Sequence, residues 1–415
     1  MTISNETYVF IHIDGEWLPC GYLTIQEDGR QVVSTFRYGL KYLERKNAIP
    51  VDPVQLPLSD GMFTSSKNSP IFGGIRDASP DGWGRHLLDR AAEPNSPCEF
   101  EYLTVLPLED RMGALGFGKS IETGPAPIIP KWKINPVYGA DLSLEDMIEA
   151  ADKIESLTDL SPKHRRFLIR GSSIGGAQPK APTFYKGKQW IVKFSRQYDA
   201  WHTCRIENAN MRLAGKCGII VPETRTLTIA GRDVLLILRF DREDKAERLH
   251  FISAATLLGT DDITSGSYQG IAVQIKRYGA QDRVKKDLEQ LFRRMVFNIL
   301  CNNTDDHLRN HGFLYKQNQG WVLSPAYDIV PQPDMGSGEK RQLTLGIGMD
   351  GSRAATLENA ISSCTVFGLS KKDGKKIVDQ MKAIFLSIWE TTYQNCNVPP
   401  KDLLSLSESF TNHLL

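Results

Sequence analysis

Three oxygen-bearing side chains near residue 300 have the types and spacing of a phosphoryl-transfer site. Asp305 lies in a polar stretch, Asn310 follows five residues later, and Asp328 comes eighteen residues after that. Moving a phosphoryl group requires an oriented hydroxyl and divalent cations held by hard oxygen ligands. Kinase catalytic loops divide these tasks among an aspartate, an asparagine and a later aspartate. The spacing therefore predicts a phosphotransferase.

Other interpretations of the polar stretch Asn302–Asn310 stay open. Without Asp328, a solvated loop that caps a helix would explain it better. His307 and His311 lie four residues apart, but Leu308 stands where a zinc-enzyme motif requires Glu, so metal binding by this pair is not predicted. A metal-dependent phosphohydrolase and a catalytically silent kinase-fold binding protein are the two alternatives. The hydrolase would use Asp305, Asp306, His307 and Asp328.

Two upstream features extend the phosphotransferase interpretation. The Gly/Ser-rich segment Gly171–Lys180 lacks the Lys-Ser/Thr of a Walker loop, and alone it indicates a flexible turn whose amides can cradle phosphate. Lys193 lies in an apolar strand on the same face as Ile191, which predicts that its ammonium group enters a cleft. Kinases brace such a lysine with a helix glutamate, and Glu207 follows at a suitable position.

Strand patterns dominate the first 125 residues. They predict strands at Tyr8–Ile13, Trp17–Ile25 and Val32–Tyr38, with turns at Asp14–Gly15 and Asp28–Gly29. A helix is predicted to begin at Pro80–Gly82. Further strands are predicted at Pro182–Tyr185, Trp190–Phe194, Val234–Phe240, Gly312–Tyr315 and Trp321–Leu323.

The rest of the chain is predicted to be mainly helical beyond residue 250. Prolines mark 119–140 as a linker, and a helix is expected to follow from Leu142. Apolar residues from Leu288 to Leu300 recur at i, i+3, i+4 and i+7, which predicts one buried helix leading directly to Asn302. A further helix is predicted at Glu207–Leu213.

Composition excludes several classes of protein. The 415 residues include 50 basic and 49 acidic side chains, so the chain has no overall basic field for nucleic acid. No apolar run is long enough for a membrane span, and the first nineteen residues do not resemble a signal peptide. The seven cysteines form no close Cys-x-x-Cys pair. A cytoplasmic protein is the expectation.

Together these motifs resemble the HipA family, the serine/threonine kinase toxins of bacterial toxin–antitoxin pairs. The similarity extends over most of the chain. It is carried by Ser173–Lys180, Ile191–Lys193, Glu207, Arg239–Arg242, Asn303–Asn310 and Tyr327–Ile329, and by the N-terminal matches Phe36–Tyr38, Leu56–Leu58 and Pro80–Arg85.

The resemblance implies an α+β, protein-kinase-like two-lobed fold. A small N-terminal domain would occupy residues 1–125, and a strand-rich N-lobe with the phosphate loop would occupy residues 141–242. A mainly helical C-lobe with the catalytic loop would occupy residues 243–415.

It also implies the roles of individual residues. Asp305, rather than Asp306, would be the catalytic base, and Asn310 and Asp328 would hold Mg²⁺. Lys193 would contact the ATP phosphates, and Ser173 would be autophosphorylated, with Ser172 beside it as the alternative phosphosite. The remaining implied ATP-binding residues are Gly175, Gly176, Ala177, Arg239, Phe240 and His307.

The partners follow by the same resemblance. ATP and Mg²⁺ are the implied cofactors, and an aminoacyl-tRNA synthetase is the implied protein substrate, whose phosphorylation would arrest translation and growth. A small HipB-like helix-turn-helix antitoxin is the implied partner, with DNA contacted only through it and no membrane involved.

Overall fold

The computed structural model describes residues 3–29, 31–130, 142–173, 176, 178–196, 199–243, 247–317, 319–332 and 341–411. Part of the predicted linker at 119–140 therefore lies outside the described residues. In the described part, all the strands of the three sheets pair antiparallel. Among these residues, no helix combines the length and apolarity needed to cross a bilayer.

The first sheet is built from the N-terminal strands. Its members are β1 (Ile3–Ile13), β2 (Glu16–Asp28), β3 (Gln31–Tyr38), β4 (Phe63–Thr64) and β5 (Leu115–Gly118), in the order β4-β3-β2-β1-β5. The turn between β1 and β2 has left-handed Asp14 and Gly15, as the Asp-Gly pair predicts. The accompanying helices are α1 (Leu40–Leu43), α2 (Gly73–Arg76), α3 (Gly82–Ala92) and α4 (Glu99–Thr104).

The second sheet carries the predicted cleft lysine. Its strands are β6 (Lys180–Tyr185), β7 (Lys188–Phe194), β8 (Thr224–Ile229) and β9 (Arg232–Leu238), in the order β6-β7-β9-β8. The helices in this part of the chain are α5 (Leu144–Glu155), α6 (Pro162–Arg170) and α7 (Thr203–Lys216).

The last part of the chain is mainly helical, as predicted. A small sheet of β10 (Phe251–Ser253), β11 (Gly312–Lys316) and β12 (Gly320–Leu323) has the order β10-β11-β12. The helices are α8 (Ala254–Leu258), α9 (Tyr268–Tyr278), α10 (Val284–Leu300), α11 (Leu357–Ser362), α12 (Lys371–Gln394) and α13 (Pro400–Thr411).

Three apolar cores correspond to these regions. The first packs Val9, Leu23 and Phe36 between the N-terminal sheet and its helices. The second joins the second sheet to α5 and α6, and it also takes in Trp83 and Leu87 of α3. The third surrounds the buried face of α10 and includes one face of α7. Because α3 and α7 both pack into a neighbouring core, the unit boundaries near 125, 141 and 242 stay predictions.

Candidate active site

A buried lysine joins the two lobes at the candidate site. The Nζ atom of Lys193, on β7, lies 2.7 Å from Oε1 of Glu207 on α7 and 2.6 Å from Oδ1 of Asp328. Lys193 and Glu207 are buried, whereas the Asp328 side chain is 36% exposed. The structure thus brings the lysine, its helix glutamate and the later aspartate into one cluster.

The charges of this cluster are strongly coupled. Burial disfavours the Lys193 ammonium, but Asp328 and Glu207 outweigh it and raise the pKa of Lys193. Lys193 in turn holds the pKa of Asp328 well below its usual range. Burial raises the pKa of Glu207, although Lys193 opposes the shift. Two carboxylates and one lysine give the ionised cluster a formal charge of −1.

The backbone around Asp328 fixes the direction of its carboxylate. Asp328 adopts a left-handed conformation with φ of 58°, which aspartate tolerates better than most residues. The preceding Tyr327 is anchored because its hydroxyl donates to the backbone oxygen of Arg309 at 2.6 Å. Arg309 lies in the loop after α10, so this bond ties Asp328 to that loop.

The loop itself begins where α10 ends. Asn302, with φ of 54°, turns the chain, and its amide nitrogen donates to the backbone oxygen of Gln332 at 2.7 Å. Asn303 donates to the side chain of Asn298 at 3.1 Å. The bond that ends α10 is a backbone one, from the amide of Asn303 to the carbonyl oxygen of Asn298 at 2.9 Å. The two side-chain bonds fix the first residues of the loop and leave Asp305 exposed.

Asp305 and Asp306 occupy opposite environments. Asp305 is exposed, yet partial desolvation raises the pKa of its carboxyl, and Asp328 adds to the rise. Asp306 is buried, where it accepts hydrogen bonds from the Tyr268 hydroxyl and from Nε2 of His311, the latter at 2.9 Å. Burial opposes its charge, but these partners lower the pKa of Asp306 below the ordinary value. Asp305 is free to meet a substrate, and Asp306 holds the loop in place.

Asn310 and His307 flank Asp305. The amide nitrogen of Asn310 donates to the backbone oxygen of Asp305 at 3.2 Å, so its amide oxygen is the atom that can bind a metal. His307 is half-buried, and its Nδ1 atom has no hydrogen-bond partner among the described residues. A positive charge on its ring would lower the pKa of both Asp305 and Asp328.

The phosphate loop starts as a buried turn. Gly171–Ser173 form one turn of 3-10 helix, and Ser173 is 5% exposed with its Oγ donating to the backbone oxygen of Arg170 at 2.9 Å. Gly176 has a left-handed φ of 103°. Gly175 and Ala177, two of the predicted ATP contacts, lie outside the described residues.

Lys180 is a candidate residue to which sequence reasoning gave no role. It is buried, and a Cβ atom on Gly176 would lie 2.5 Å from its Nζ. Burial lowers the pKa of Lys180, and the charge of Lys193 adds to the effect. The sequence contained a signal for the position of Lys180. A two-residue turn at Lys186–Gly187 places Lys180 opposite Lys193 across the hairpin.

Comparisons with known proteins agree on one family. The family model for the HipA-like C-terminal domain matches residues 172–389, slightly more than half of the chain. The chain belongs to the HipA-like family. The matched region begins at Ser172 and includes every predicted site residue.

Curated relatives are kinases by name. A putative kinase of Haemophilus influenzae is 29% identical over 192 residues, which is 40% of this chain and 55% of that protein. The serine/threonine-protein kinase toxin HipA of Shewanella oneidensis is 27% identical over 336 residues, covering 73% of this chain and 71% of that protein. The chain is accordingly a serine/threonine protein kinase.

A solved structure supports the fold over nearly the whole chain. Shewanella oneidensis HipA, determined in a complex with HipB and operator DNA, superposes with a TM-score of 0.68 at 19% identity. The match covers 99% of this chain and 96% of that one. The predicted α+β, kinase-like fold is therefore confirmed.

Arg239 and Phe240, two of the implied ATP-binding residues, directly follow β9. Every nitrogen of the Arg239 guanidinium donates to protein oxygens, which belong to Asp241, Asp110 and Arg111. A contact of Arg239 with a nucleotide would therefore have to come from its backbone. Phe240 is half-buried, and its ring lies 5.5 Å from that of Tyr327. Nucleotide binding by either residue stays a prediction.

Proposed function

We propose that this HipA-like kinase transfers the γ-phosphoryl group of Mg–ATP to serine or threonine hydroxyls, including its own Ser173. The observation that carries the proposal is the Lys193–Glu207–Asp328 cluster, which lies beside the loop that bears Asp305 and Asn310. A lysine that bridges a helix glutamate and a metal-binding aspartate is the arrangement that kinases use.

The donor atoms fit a magnesium nucleotide. Asn310 and Asp328 offer two hard oxygen ligands, and magnesium sites of kinases take their remaining ligands from phosphates and water. Lys193 and Lys180 supply positive charge for the phosphates, and His307 has a buried nitrogen that a ligand oxygen or hydroxyl can satisfy. When bound, Mg–ATP would supply the phosphoryl group and the metal charge that balances it.

Asp305 has the environment required of the residue that orients the substrate hydroxyl. Its carboxylate is exposed at the end of a loop that is fixed by Asn302, Asn303 and Asp306. The raised pKa brings the carboxyl nearer to working pH, which favours a general base. Positioning and charge neutralisation would supply most of the rate acceleration.

Autophosphorylation at Ser173 requires a change of conformation. Its hydroxyl is buried in the 3-10 turn and donates to the backbone of Arg170, so the turn must open before the Oγ can reach a phosphoryl donor. The resemblance to the family implies that phosphate on Ser173 expels the loop and stops ATP binding. Ser172 is completely buried, with its Oγ bonded to the backbone of Ile169 at 2.7 Å.

Partners and location belong to the proposal as well. The Shewanella protein was solved with HipB and operator DNA, which supports a HipB-like antitoxin for this chain and DNA contact through that antitoxin. An aminoacyl-tRNA synthetase is the proposed substrate class. The seven cysteines, all in described segments, are free thiols, in keeping with a cytoplasmic location.

One of the four residues that the phosphohydrolase alternative would use, Asp306, is not placed for catalysis. Asp306 is turned away from the cleft, and both partners of its carboxylate, Tyr268 and His311, are buried. Among the described residues, no group of three or more His, Cys, Asp or Glu side chains is arranged as a metal centre. No specific observation favours the silent-scaffold alternative.

The proposal is tested by incubating the protein with Mg–ATP and mapping phosphosites by mass spectrometry that separates Ser172 from Ser173. We expect phosphate on Ser173, and its loss in Asp305→Asn. Asp282→Asn, an exposed aspartate just before α10, is the matched control and should behave as wild type. Wild-type protein that gains no phosphate and consumes no ATP with any acceptor would refute the proposal.

A further inference from the structure

The carboxylate of Asp81 does not perform the task that its position in the chain suggests. Asp81 is the N-cap residue of α3, where an aspartate side chain ordinarily accepts a hydrogen bond from the first turn of the helix. Its side chain makes no such bond. The backbone oxygen of Asp81 accepts from the amide of Gly84 at 2.8 Å instead. Both carboxylate oxygens are therefore available for other partners.

Those partners belong to the two loops of the kinase site. Oδ1 of Asp81 accepts from the backbone nitrogen of Gly176 at 2.6 Å. Oδ2 accepts from Nη1 of Arg309 at 2.5 Å. Gly176 lies in the phosphate loop, and Arg309 lies between Asp305 and Asn310. One side chain of the N-terminal region thus connects a loop of the N-lobe to a loop of the C-lobe.

The start of α3 holds the phosphate loop by further contacts. The backbone nitrogen of Trp83 donates to the oxygen of Gly176 at 2.8 Å, so both the amide and the carbonyl of Gly176 are bound. A Cβ atom on Gly84 would lie 2.4 Å from the backbone oxygen of Ser172, so this close approach requires glycine. The helix and the loop are therefore built to fit against each other.

We propose that Asp81 is a positioning residue that sets the distance between the phosphate loop and the catalytic loop. The inference rests on the proposed kinase function and adds a positioning role for the N-terminal region. Both carboxylate oxygens of Asp81 are engaged by protein donors, which places its effect on the loops rather than on the reacting groups. It acts through Gly176, whose loop would surround the phosphates, and through Arg309, whose turn lies between the base and the metal-binding asparagine.

The first test is Asp81→Ala, with Asp81→Asn as a milder variant that keeps one acceptor. A charge-assisted hydrogen bond lost on each loop should raise KM for ATP about 10- to 100-fold while kcat falls less. The midpoint of thermal unfolding should stay near that of wild type, because the side chain caps no helix. Asp60→Asn, in an exposed pair with Arg37 in the same N-terminal region, is the control.

The second test measures backbone hydrogen exchange of the peptide that contains Gly176, in protein without nucleotide. Both Asp81 variants should exchange faster there, by about tenfold or more in Asp81→Ala, while peptides from the N-terminal sheet are unchanged. This measurement needs no enzymatic activity. Its result therefore stands even if wild-type protein fails to transfer phosphate.

The third test is a double-mutant cycle of Asp81→Asn with Arg309→Gln. If Asp81 and Arg309 act through the same bridge, the fold increase in KM of the double variant is smaller than the product of the fold increases of the two single variants. Arg309→Lys, which keeps a charged donor, should recover part of the loss.

Two results would overturn the inference. One is active wild-type protein in which both Asp81 variants leave KM for ATP and the exchange at Gly176 unchanged. The other is a pair of effects that multiply independently in the cycle. Inactive wild-type protein with fast exchange in the Asp81 variants would instead refute the kinase proposal and leave the bridge intact.

Discussion

Two buried ion clusters, one in the cleft and one at the junction with the N-terminal region, have opposite compositions. In the cleft, one lysine lies between two carboxylates, those of Glu207 and Asp328. At the junction, one carboxylate, Asp241, lies between two guanidinium groups, those of Arg239 and Arg242. The formal charges are therefore −1 and +1.

The junction cluster is completed by backbone atoms. Arg239 and Arg242 donate to the backbone oxygens of residues 110, 111 and 113, and Asp241 accepts from the amide of Gly113 at 2.8 Å. Burial opposes the charge of Asp241, but the two arginines outweigh it and hold the pKa of its carboxyl well below its usual range. The positive charge is thus shared with fixed carbonyl dipoles, and the cluster needs no ligand.

The cleft cluster is incomplete by comparison. Asp328 is partly exposed, and in the described part of the chain Lys193 bonds its carboxylate while Lys180 and His307 act on it at longer range. A divalent cation would meet the exposed side of that carboxylate. The difference teaches that buried charge by itself does not identify a functional site. A buried cluster whose excess charge is taken up by fixed backbone dipoles is structural, and one with a solvent-exposed member can bind a ligand.

The largest expected effect is on the junction cluster. Asp241→Asn should reduce the free energy of unfolding by about 3–5 kcal/mol, because two buried arginines lose their carboxylate. Urea denaturation followed by circular dichroism measures this change. Asp60→Asn, which breaks an exposed pair, should alter stability by less than about 1 kcal/mol. Equal stabilities of the two variants would show that the junction cluster is not structural.

Lys193→Met should reduce activity strongly and stability little, the reverse of what is expected for Asp241→Asn. We expect phosphoryl transfer to fall about 10²- to 10³-fold, since a charge that stabilises the phosphates is removed. Stability should change less than in the Asp241 variant, because Glu207, with its raised pKa, can take up a proton. Lys188→Met, exposed on the same strand, is the control for both assays. Equal activities of Lys193→Met and Lys188→Met would show that the cleft cluster does not differ from the junction cluster in function.

The junction also contains a buried histidine that should make stability depend on pH. Burial lowers the pKa of His250 from 6.5 to about 4, although the backbone oxygen of Val51, 2.9 Å from its Nε2, opposes the shift. The unfolded chain binds the proton first, so stability is complete above pH 6.5 and is lost as pH falls towards 4.

The shift corresponds to about 3 kcal/mol between these limits. His250→Gln should remove that part of the pH dependence, as measured by the difference between wild-type and variant denaturation curves at pH 7 and pH 4.5. A difference in the free energy of unfolding between wild type and variant that is the same at pH 7 and at pH 4.5 would contradict the prediction.

The smallest effect is expected for the brace of the cleft lysine. Glu207→Gln keeps a hydrogen-bond acceptor for Lys193 but loses the charge, so activity should fall about tenfold. Steady-state kinetics with varied ATP should show the loss mainly in KM, because the lysine remains present but is less firmly held. A loss as large as that of Lys193→Met would mean that the glutamate does more than brace the lysine.

Local patterns in the sequence predicted many of the elements that carry the candidate site. The β7 strand, the α10 helix and the hairpin of β1 and β2 follow from alternation, helical periodicity and an Asp-Gly turn. The α6 helix was not predicted, because its basic residues hide the apolar face, although Ser161 and Pro162 form a typical helix start. The β8 strand was missed for a similar reason, since threonines and arginine alternate with few apolar residues.

Long-range contacts could not be predicted in this way. Asp81 and Arg309 are 228 residues apart, and no local pattern shows that the N-cap of one helix meets the loop after another. The resemblance favoured Asp305 over Asp306 as the base and gave Asp306 no role of its own in the kinase site. The structure adds one, because Asp306 holds the loop through His311 and Tyr268.

The burial of Ser173 has a kinetic consequence. Ser173 is 5% exposed and its hydroxyl is bonded to the backbone of Arg170, so in this conformation it cannot enter the active site of any enzyme, whether that enzyme adds a phosphate or removes one. Each modification event must wait until the turn opens, so the opening rate is an upper limit on the rate of phosphorylation. A cell that contains more of a modifying enzyme gains nothing beyond this limit. The timing of the response would then be a property of the fold rather than of enzyme abundance.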